Sequence, residues 1–120
     1  MSPDTHLVSD KAHLNPHDAL ARLPGPAGER SVALFEHGTL LVKLYAPRGR
    51  DPQTPHMRDE VYVVVQGSGT YFNGDTRRPF SAGDLLFAPA GSVHRFEDFT
   101  DDFAVWVIFY GPDGGEHAGE

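Results

Sequence analysis

The residues with the clearest capacity for chemistry are His56 and Glu60, which stand four positions apart directly before the run VYVVVQ. An imidazole and a carboxylate are both ligands for divalent transition metals. The chain has no cysteine, so a metal site in it has to be built from histidine, carboxylate or water. The alternative is a loop histidine and a surface acid that are neighbours only in sequence.

The local conformation decides whether these two side chains can share an ion. Residues four apart on one straight strand are about 13 Å apart, whereas a metal needs its ligand atoms at about 2 Å. The segment must therefore be helical, or the chain must turn back between the two residues. The β-branched and aromatic run that follows argues against a helix. We expect a chain reversal at residues 57–59.

A second segment, GDLLFAPAGSVHRFED at residues 83–98, carries a further histidine, His94. Pro89 and Gly91 predict a stiff corner between two strands. On the returning strand, His94 and Phe96 are two residues apart and should face the same side. The pattern thus predicts a corner that fixes the orientation of the His94 imidazole.

Together the two segments resemble the motifs of the cupin family of small β-barrel proteins. The first motif, G-x5-H-x-H-x3-4-E-x6-G, is matched at its second histidine, glutamate and last glycine by His56, Glu60 and Gly67. The second, G-x5-P-x-G-x2-H-x3-N, is matched by Gly83, Pro89, Gly91 and His94, with Asp98 in place of the asparagine. The resemblance extends over about residues 31–110 when strand order is included.

The resemblance implies one divalent metal inside the barrel, Fe²⁺, Mn²⁺, Zn²⁺ or Ni²⁺, held by His56, Glu60 and His94. The sequence departs from the family at Thr54, which occupies the position of the first histidine, and the expected leading glycine falls on Arg48. Two histidines and one carboxylate leave several coordination positions open, as in non-haem iron(II) oxygenases. Alternatively, metal binding is weakened or lost. Gln53 is one residue from the vacant position and substitutes only if the loop is reshaped.

Other residues near the motifs are candidates for a pocket. Tyr62 and Val64 share strand parity with Glu60 and should line the same interior. The Tyr62 hydroxyl and Arg58 are the candidate catalytic groups, and ordinary packing and solvation are their alternatives. Arg48 and Arg50 are further candidates for attracting an anionic substrate.

Some residues are predicted to have no part in the site. Asp98 is expected to serve a turn after its strand. The histidines at positions 6, 13, 17, 37 and 117 lack ligand spacing and are expected at the surface.

The elements that must position these side chains are mostly strands. Asn15 and Pro16 predict the start of a short helix that ends before Pro24. Seven β-rich runs follow, indicating seven or eight strands: VALFEH, TLLVKLYA, EVYVVVQ, GTYFN, DLLFA, VHRFE and FAVWVIFY. We predict an all-β, double-stranded β-helix barrel with a short N-terminal helix. Residues 1–30 form an extension, 31–110 the barrel and 111–120 a flexible C-terminal tail.

Composition narrows the functions that are possible. A formal net charge of −7 argues against a broad basic surface for nucleic acid. No run of eighteen apolar residues and no secretory signal is present, so we expect no membrane span and a cytoplasmic location. The doubly apolar run at residues 103–110 is a candidate homodimer interface.

These observations predict a metal-binding protein with a small-molecule ligand in its barrel. As an enzyme it would be a dioxygenase, isomerase or decarboxylase acting on a small organic acid or carbonyl compound. The alternative is a non-catalytic binder or sensor, because a barrel pocket serves recognition equally well.

Overall fold

The computed structural model describes residues 13–117, in which one short helix precedes eight strands. The helix is α1 (Pro16–Leu20). The strands are β1 (Ser31–His37), β2 (Leu40–Tyr45), β3 (Asp59–Gln66), β4 (Ser68–Asn73), β5 (Thr76–Ser81), β6 (Leu85–Ala88), β7 (His94–Glu97) and β8 (Ala104–Tyr110). The prediction of a mostly β protein with one N-terminal helix is confirmed.

Helix α1 begins as the sequence predicts and ends earlier. The Asn15 side chain accepts a hydrogen bond from the Asp18 N–H, and Pro16 occupies the first turn, where its missing N–H costs nothing. The helix ends at Leu20, and Leu23 N–H instead donates to the Leu20 carbonyl in a tight turn. The residue before a proline is disfavoured in the helical conformation, and Pro24 follows.

The strands form two antiparallel sheets that face each other. One has five strands in the order β1-β2-β8-β3-β6, and the other has three in the order β5-β4-β7. From β3 onward the chain crosses between the sheets at every connection except β4–β5, which joins two strands of the same sheet. Gly67 makes the first crossing with a φ of 85°, and a Cβ there would lie 2.6 Å from the Phe103 Cα. Only glycine fits this approach.

Strand β5 was not among the runs that the sequence singled out. It contains Pro79 and two arginines, which are poor strand signals. The strand lies at the edge of its sheet and pairs only with β4, where a proline is tolerated because no second neighbour needs its N–H. The edge position therefore explains both the composition and the missed prediction.

Hydrophobic residues pack on both faces of the five-stranded sheet. The core between the sheets consists of Tyr62, Val64, Tyr71, Phe80, Ala88, Phe96, Phe103, Val105 and Val107. On the outer face, Ala19 of α1 packs with Leu34 and Leu44, and Trp106 packs against this second cluster. Packing on both faces accounts for the doubly apolar strands. Strand β8 lies in the middle of its sheet, so the candidate interface strand has no free edge.

The first residues of the predicted flexible tail are hydrogen-bonded to the barrel. Gly111 N–H donates to Thr39 Oγ1 at 3.0 Å, and Glu116 N–H donates to Asp59 Oδ2 at 2.8 Å. Residues 118–120 lie outside the described part of the chain. No helix within residues 13–117 is long and apolar enough to cross a membrane.

Candidate metal centre

His56 reaches the site from a loop, and Glu60 reaches it from a strand. The predicted loop at residues 47–55 is present, the chain bends at Met57 and Arg58, and β3 begins at Asp59. The expected reversal is thus a bend at the strand entrance, and it does not bring two neighbouring strands together. No helix forms there. The bend removes the 13 Å separation that a straight strand would impose.

The corner before β7 holds the two motif segments together. Ser92 N–H donates to the Pro89 carbonyl at 3.1 Å, and Gly91 has a φ of 79°, the positive value that a type II turn needs at its third residue. Gly91 N–H donates to the His56 carbonyl at 2.7 Å. This one bond links the loop that carries His56 to the corner that aims His94.

The three side chains that the sequence singled out converge. One ligand atom from each of His56, Glu60 and His94 lies within 4.8 Å of the others. Glu60 Oε1 is 3.1 Å from His94 Nε2 and 3.8 Å from His56 Nε2. The side chains of Glu60 and His94 are each 1% exposed, whereas His56 is 33% exposed and lies toward the opening.

The hydrogen bonding of these side chains fits a cation among them. His94 Nδ1 is 3.0 Å from the Ser92 carbonyl, which can only accept, so Nδ1 carries a proton; in the neutral ring, the form that binds metals, Nε2 then presents a lone pair. Although Glu60 Oε1 is 3.1 Å from this nitrogen, the approach lacks hydrogen-bond geometry and Oε1 has no hydrogen-bond partner. With the ring neutral, two electron-rich atoms face each other in a buried space. A metal ion satisfies both.

The protonation of the groups depends on burial and on Glu60. Burial lowers the pKa of His56, and this outweighs the attraction of Glu60, so its ring favours the neutral form that binds metals. Burial also lowers the pKa of His94, but Glu60 and the Ser92 carbonyl raise it more, and the result is above the usual value. Burial, with a contribution from Glu60, raises the pKa of Tyr62, so the phenol keeps its proton.

Tyr62 and Gln53 complete a ring of polar atoms with the three candidate ligands. The Tyr62 hydroxyl is 2.9 Å from His94 Nε2 and donates to Gln53 Oε1 at 2.8 Å. Gln53 Oε1 is in turn 3.3 Å from His56 Nε2. The loop is shaped so that Gln53 enters the site, while Thr54 is exposed. Tyr62 lies in the interior with Glu60, as its strand parity predicted.

Asp51 supports this ring and was missed by the sequence analysis. It is buried and accepts from Gln53 Nε2 at 2.6 Å, from the Tyr45 hydroxyl at 2.6 Å and from Phe96 N–H at 2.8 Å. The hydrogen bond to Phe96 joins residues that are 45 positions apart, so no local sequence pattern predicts it. The available signal is that Asp51 is the one acidic residue in the proline-rich loop.

The predicted arginines do not line the cleft at Glu60. Arg58 donates to the Thr39 carbonyl and lies 5.7 Å from the ring centre of Phe109. Arg48 contacts nearby backbone carbonyls, and Arg50 is exposed. Lys43, in the middle of the apolar strand β2, lines the cleft instead.

The cleft beside the candidate ligands has a volume of about 180 Å³. Its lining includes Lys43, Tyr45, Gln53, His56, Glu60 and Phe109. The Phe109 ring meets the His56 ring edge to face with centroids 5.1 Å apart, which holds the imidazole at the wall. The cleft therefore joins the candidate ligands to one cationic and one aromatic side chain.

The remaining predicted positions lie away from the cleft. Asp98 follows β7 in a bend with a φ of 51°, in agreement with a turn role. The histidines at 13, 17, 37 and 117 are exposed, and the one at position 6 lies outside the described residues.

Comparison with known proteins agrees with this geometry. A family model described as a cupin domain matches residues 41–110. An uncharacterised protein of Streptomyces coelicolor, SCO3923, is 36% identical over 63 residues, which are 52% of this chain and 60% of that protein. The match thus spans less than two thirds of that relative.

Solved structures share the fold at low sequence identity. Protein NMB1881 from Neisseria meningitidis has a TM-score of 0.66 at 18% identity, covering 83% of this chain and all of that one (100%). A cupin-2 domain containing protein from Shewanella frigidimarina has a TM-score of 0.63 at 19% identity, covering 82% and 94%. KdgF from a Halomonas species has a TM-score of 0.60 at 21% identity, covering 68% and 77%.

Proposed function

The chain belongs to the cupin domain family, and from that premise we propose that it binds one divalent transition metal through His56, Glu60 and His94 and acts on a small organic acid or carbonyl compound. The observation that carries the proposal is the buried Glu60 Oε1, which has no hydrogen-bond partner and lies 3.1 Å from His94 Nε2. Leaving a buried carboxylate without a cation costs of the order of several kcal/mol. A bound metal removes that cost.

The bound metal would supply Lewis acidity for isomerisation or decarboxylation, or, as iron(II), redox chemistry with dioxygen. The chain's own residues would position the substrate. Val107 and Phe109 give the cleft an apolar wall that excludes water. The Tyr62 hydroxyl lies beside His94 Nε2 and keeps its proton, which it donates to Gln53 Oε1.

Lys43 supports an anionic substrate. It lines the cleft, and within residues 13–117 no carboxylate lies within salt-bridge distance of it. An ammonium group without an anionic partner beside a cation site suits a ligand that carries a carboxylate. At about 180 Å³ the cleft is smaller than the roughly 300–1,000 Å³ of pockets that take drug-sized ligands. The substrate is accordingly small.

Metal content tests the proposal. The protein is purified without chelator, and its metals are counted by plasma mass spectrometry alongside His94→Ala, Glu60→Ala and the control His37→Ala, which alters an exposed histidine. We expect about one ion per chain in the parent and in the control, and none in the two site variants. A parent that carries no ion, and whose melting temperature does not rise with added Fe²⁺, Mn²⁺, Zn²⁺ or Ni²⁺, would contradict the proposal.

Non-catalytic binding of the same class of ligand is the second candidate. The observation that favours it is that the cleft lining holds no ionisable group besides Lys43, Tyr45 and the candidate ligands. Burial and the Asp51 carboxylate raise the pKa of Tyr45, so it is a poor base at neutral pH. A substrate screen of the metal-loaded protein under air and under nitrogen separates the candidates. Turnover supports an enzyme, and saturable binding without turnover supports a sensor or carrier.

A homodimer and a cytoplasmic location are also proposed, and both depend on the sequence and the family resemblance. Because β8 is paired on both edges, a dimer through this strand would have to use its outer face, where Trp106 and Ile108 are half-buried. Light scattering at several concentrations tests the dimer. A mass of one chain at every concentration would exclude it.

A further inference from the structure

We propose that the side-chain carbonyl of Gln53 is an additional metal ligand, which replaces the ligand that the family pattern loses at Thr54. This inference depends on the proposed function, because it requires a metal at His56, Glu60 and His94. It concerns a residue three positions before His56, which lies outside the family's ligand spacing. The position of one oxygen atom and the hydrogen bonds that hold it support the proposal.

Gln53 Oε1 lies beside His56 Nε2 and the Tyr62 hydroxyl, within the ring of polar atoms described above. It is 3.3 Å from His56 Nε2 and 2.8 Å from the Tyr62 hydroxyl, which is itself 2.9 Å from His94 Nε2. Neighbouring ligand atoms at right angles around an ion, each at about 2.1 Å, are about 3 Å apart. The spacing of Gln53 Oε1 from the His56 nitrogen matches that value. An uncharged amide carbonyl is also a normal oxygen ligand.

The orientation of the Gln53 amide is fixed by Asp51. A carboxylate only accepts hydrogen bonds, and Asp51 Oδ2 is 2.6 Å from Gln53 Nε2, so the amide nitrogen must face Asp51 and the oxygen must face the site. The reversed amide would place two oxygens against each other. Asp51 therefore positions Gln53 and leaves its oxygen aimed at the candidate ligands.

Asp51 is itself held by the strand that carries His94. It accepts from Phe96 N–H at 2.8 Å, and Phe96 lies two residues after His94 on β7. It also accepts from the Tyr45 hydroxyl on β2 at 2.6 Å. These bonds fix the loop relative to two strands. The Gln53 oxygen is thereby preorganised at the site.

The hydrogen bond from Tyr62 is compatible with ligation. An amide oxygen has two lone pairs, so one can accept from the Tyr62 hydroxyl while the other faces an ion. The competing interpretation is that Gln53 serves only to position Tyr62. The two interpretations differ in what happens when the phenol is removed and the amide is kept.

The test is a titration of metal-free parent and variants with Ni²⁺ in competition with a chromophoric chelator, together with visible spectra of the Co²⁺-loaded proteins. Gln53→Ala and the size-matched Gln53→Met are expected to bind Ni²⁺ at least about tenfold more weakly, the range in which perturbed metal sites fall. Both should also change the Co²⁺ ligand-field bands. The neighbouring exposed Thr54→Ala is the matched control and should change neither measurement.

Tyr62→Phe separates ligation from positioning. If Gln53 is a ligand, removing the phenol should weaken Ni²⁺ binding less than Gln53→Met does. If Tyr62→Phe reproduces the loss and the spectral change of Gln53→Met, Gln53 acts through Tyr62 and the proposal is wrong. The melting temperature of each metal-free variant identifies any variant that has not folded.

The failures of the two proposals are distinguishable. Gln53 variants that match Thr54→Ala in affinity and spectrum, while His94→Ala binds no Ni²⁺, would overturn the role of Gln53 and leave the metal site intact. A parent that binds neither Ni²⁺ nor Co²⁺ would overturn both.

Discussion

At the scale of single residues, the central feature is a carboxylate that is 1% exposed and has no counter-charge other than two imidazoles within salt-bridge distance in the described chain. Its Oε1 lacks any hydrogen-bond partner. Burial of a charged carboxylate without a hydrogen bond to Oε1 opposes folding, so Glu60 lowers the free energy of unfolding of the metal-free protein. Such a cost is typical of functional sites.

Removal of that charge should therefore stabilise the metal-free protein. Glu60→Gln keeps the shape of the side chain and is expected to raise the free energy of unfolding without metal by about 1 kcal/mol or more. It should also abolish the stabilisation that added metal gives the parent. Urea denaturation with and without Ni²⁺ measures both effects. The control is Glu36→Gln, an exposed acid on β1 that should change neither.

The same experiment can contradict this account of Glu60. A Glu60→Gln protein that is less stable than the parent without metal would mean that the carboxylate is already satisfied. Equal stabilisation of both proteins by Ni²⁺ would mean that Glu60 is not a ligand.

Lys43 leads to a prediction about ligand charge. Lys43→Met keeps the aliphatic stem and removes the ammonium, so binding of acetate to the Ni²⁺-loaded protein is expected to weaken about tenfold, the loss of one charged hydrogen bond. Acetamide, which has no charge, should bind the two proteins equally. Calorimetry at low ionic strength measures both, with Arg50→Met as an exposed control. Equal acetate affinity in parent and Lys43→Met would remove Lys43 from the site.

The sequence identified part of the site because motif spacing fixes where His56, Glu60 and His94 fall. It did not identify Asp51 and Gln53 as a pair, since their arrangement depends on a hydrogen bond to Phe96, far along the chain. The arginines were favoured as anion-binding groups by charge alone. Arg48 and Arg50 do not line the cleft, and Arg58 lies with His56 and Phe109 in a neighbouring depression. Lys43 had a usable signal, because it is the one charged residue in the apolar strand β2.

At the scale of elements, the corner before β7 joins the two halves of the site. Gly91 adopts a φ of 79° and donates its N–H to the His56 carbonyl. A Cβ at this position would meet nothing within 4 Å, so the effect of a substitution comes from the backbone conformation and not from a clash. The corner thus offers a clean test of how the loop and β7 are coupled.

Gly91→Ala is expected to cost about 1 kcal/mol of stability, the penalty of the left-handed conformation for a residue with a Cβ. It should also weaken Ni²⁺ binding several-fold, because the corner that aligns His56 with His94 is strained. Gly38→Ala is the matched control, since Gly38 has a φ of 60°, has open space around it and lies in the β1–β2 turn. Denaturation and Ni²⁺ titration should separate the two variants. Equal affinities would show that the corner does not align the ligands.

Most elements could be predicted from the sequence because glycine and proline mark the turns and the apolar runs are short. The prediction failed where a strand carries strand-breaking residues. Pro79 is tolerated in β5 only because this strand pairs on one side. Its edge position depends on how the whole sheet assembles, so the local sequence does not reveal it. Helix α1 shows the same limit, since the turn after Leu20 ended it earlier than helix propensity indicated.

At the scale of the whole molecule, the candidate metal centre and the outer hydrophobic cluster lie on opposite faces of one sheet. The inner face carries the candidate ligands among aromatic residues, and the outer face packs against α1. Leu44, which is 0% exposed, is central to the outer cluster. A change there should alter folding and leave the site unchanged.

Leu44→Ala is expected to lower the free energy of unfolding by about 2–5 kcal/mol, the range for a large aliphatic side chain removed from a core. The Ni²⁺ affinity of the folded fraction should equal that of the parent. Leu85→Ala is the control, because that leucine is 66% exposed and its loss should change stability by about 0.5 kcal/mol or less. A large loss of affinity in Leu44→Ala would show that the outer cluster and the site are coupled.

The central claim is that His56, Glu60 and His94 hold one ion, and anomalous diffraction from crystals grown with Ni²⁺ tests it most directly. If these three residues bind one ion, the crystals should show a single strong anomalous peak inside the barrel, about 2.0–2.2 Å from both imidazole Nε2 atoms and from a Glu60 oxygen. A barrel interior without a peak under these conditions, or a peak bound by other residues while the two imidazoles point apart, would contradict it.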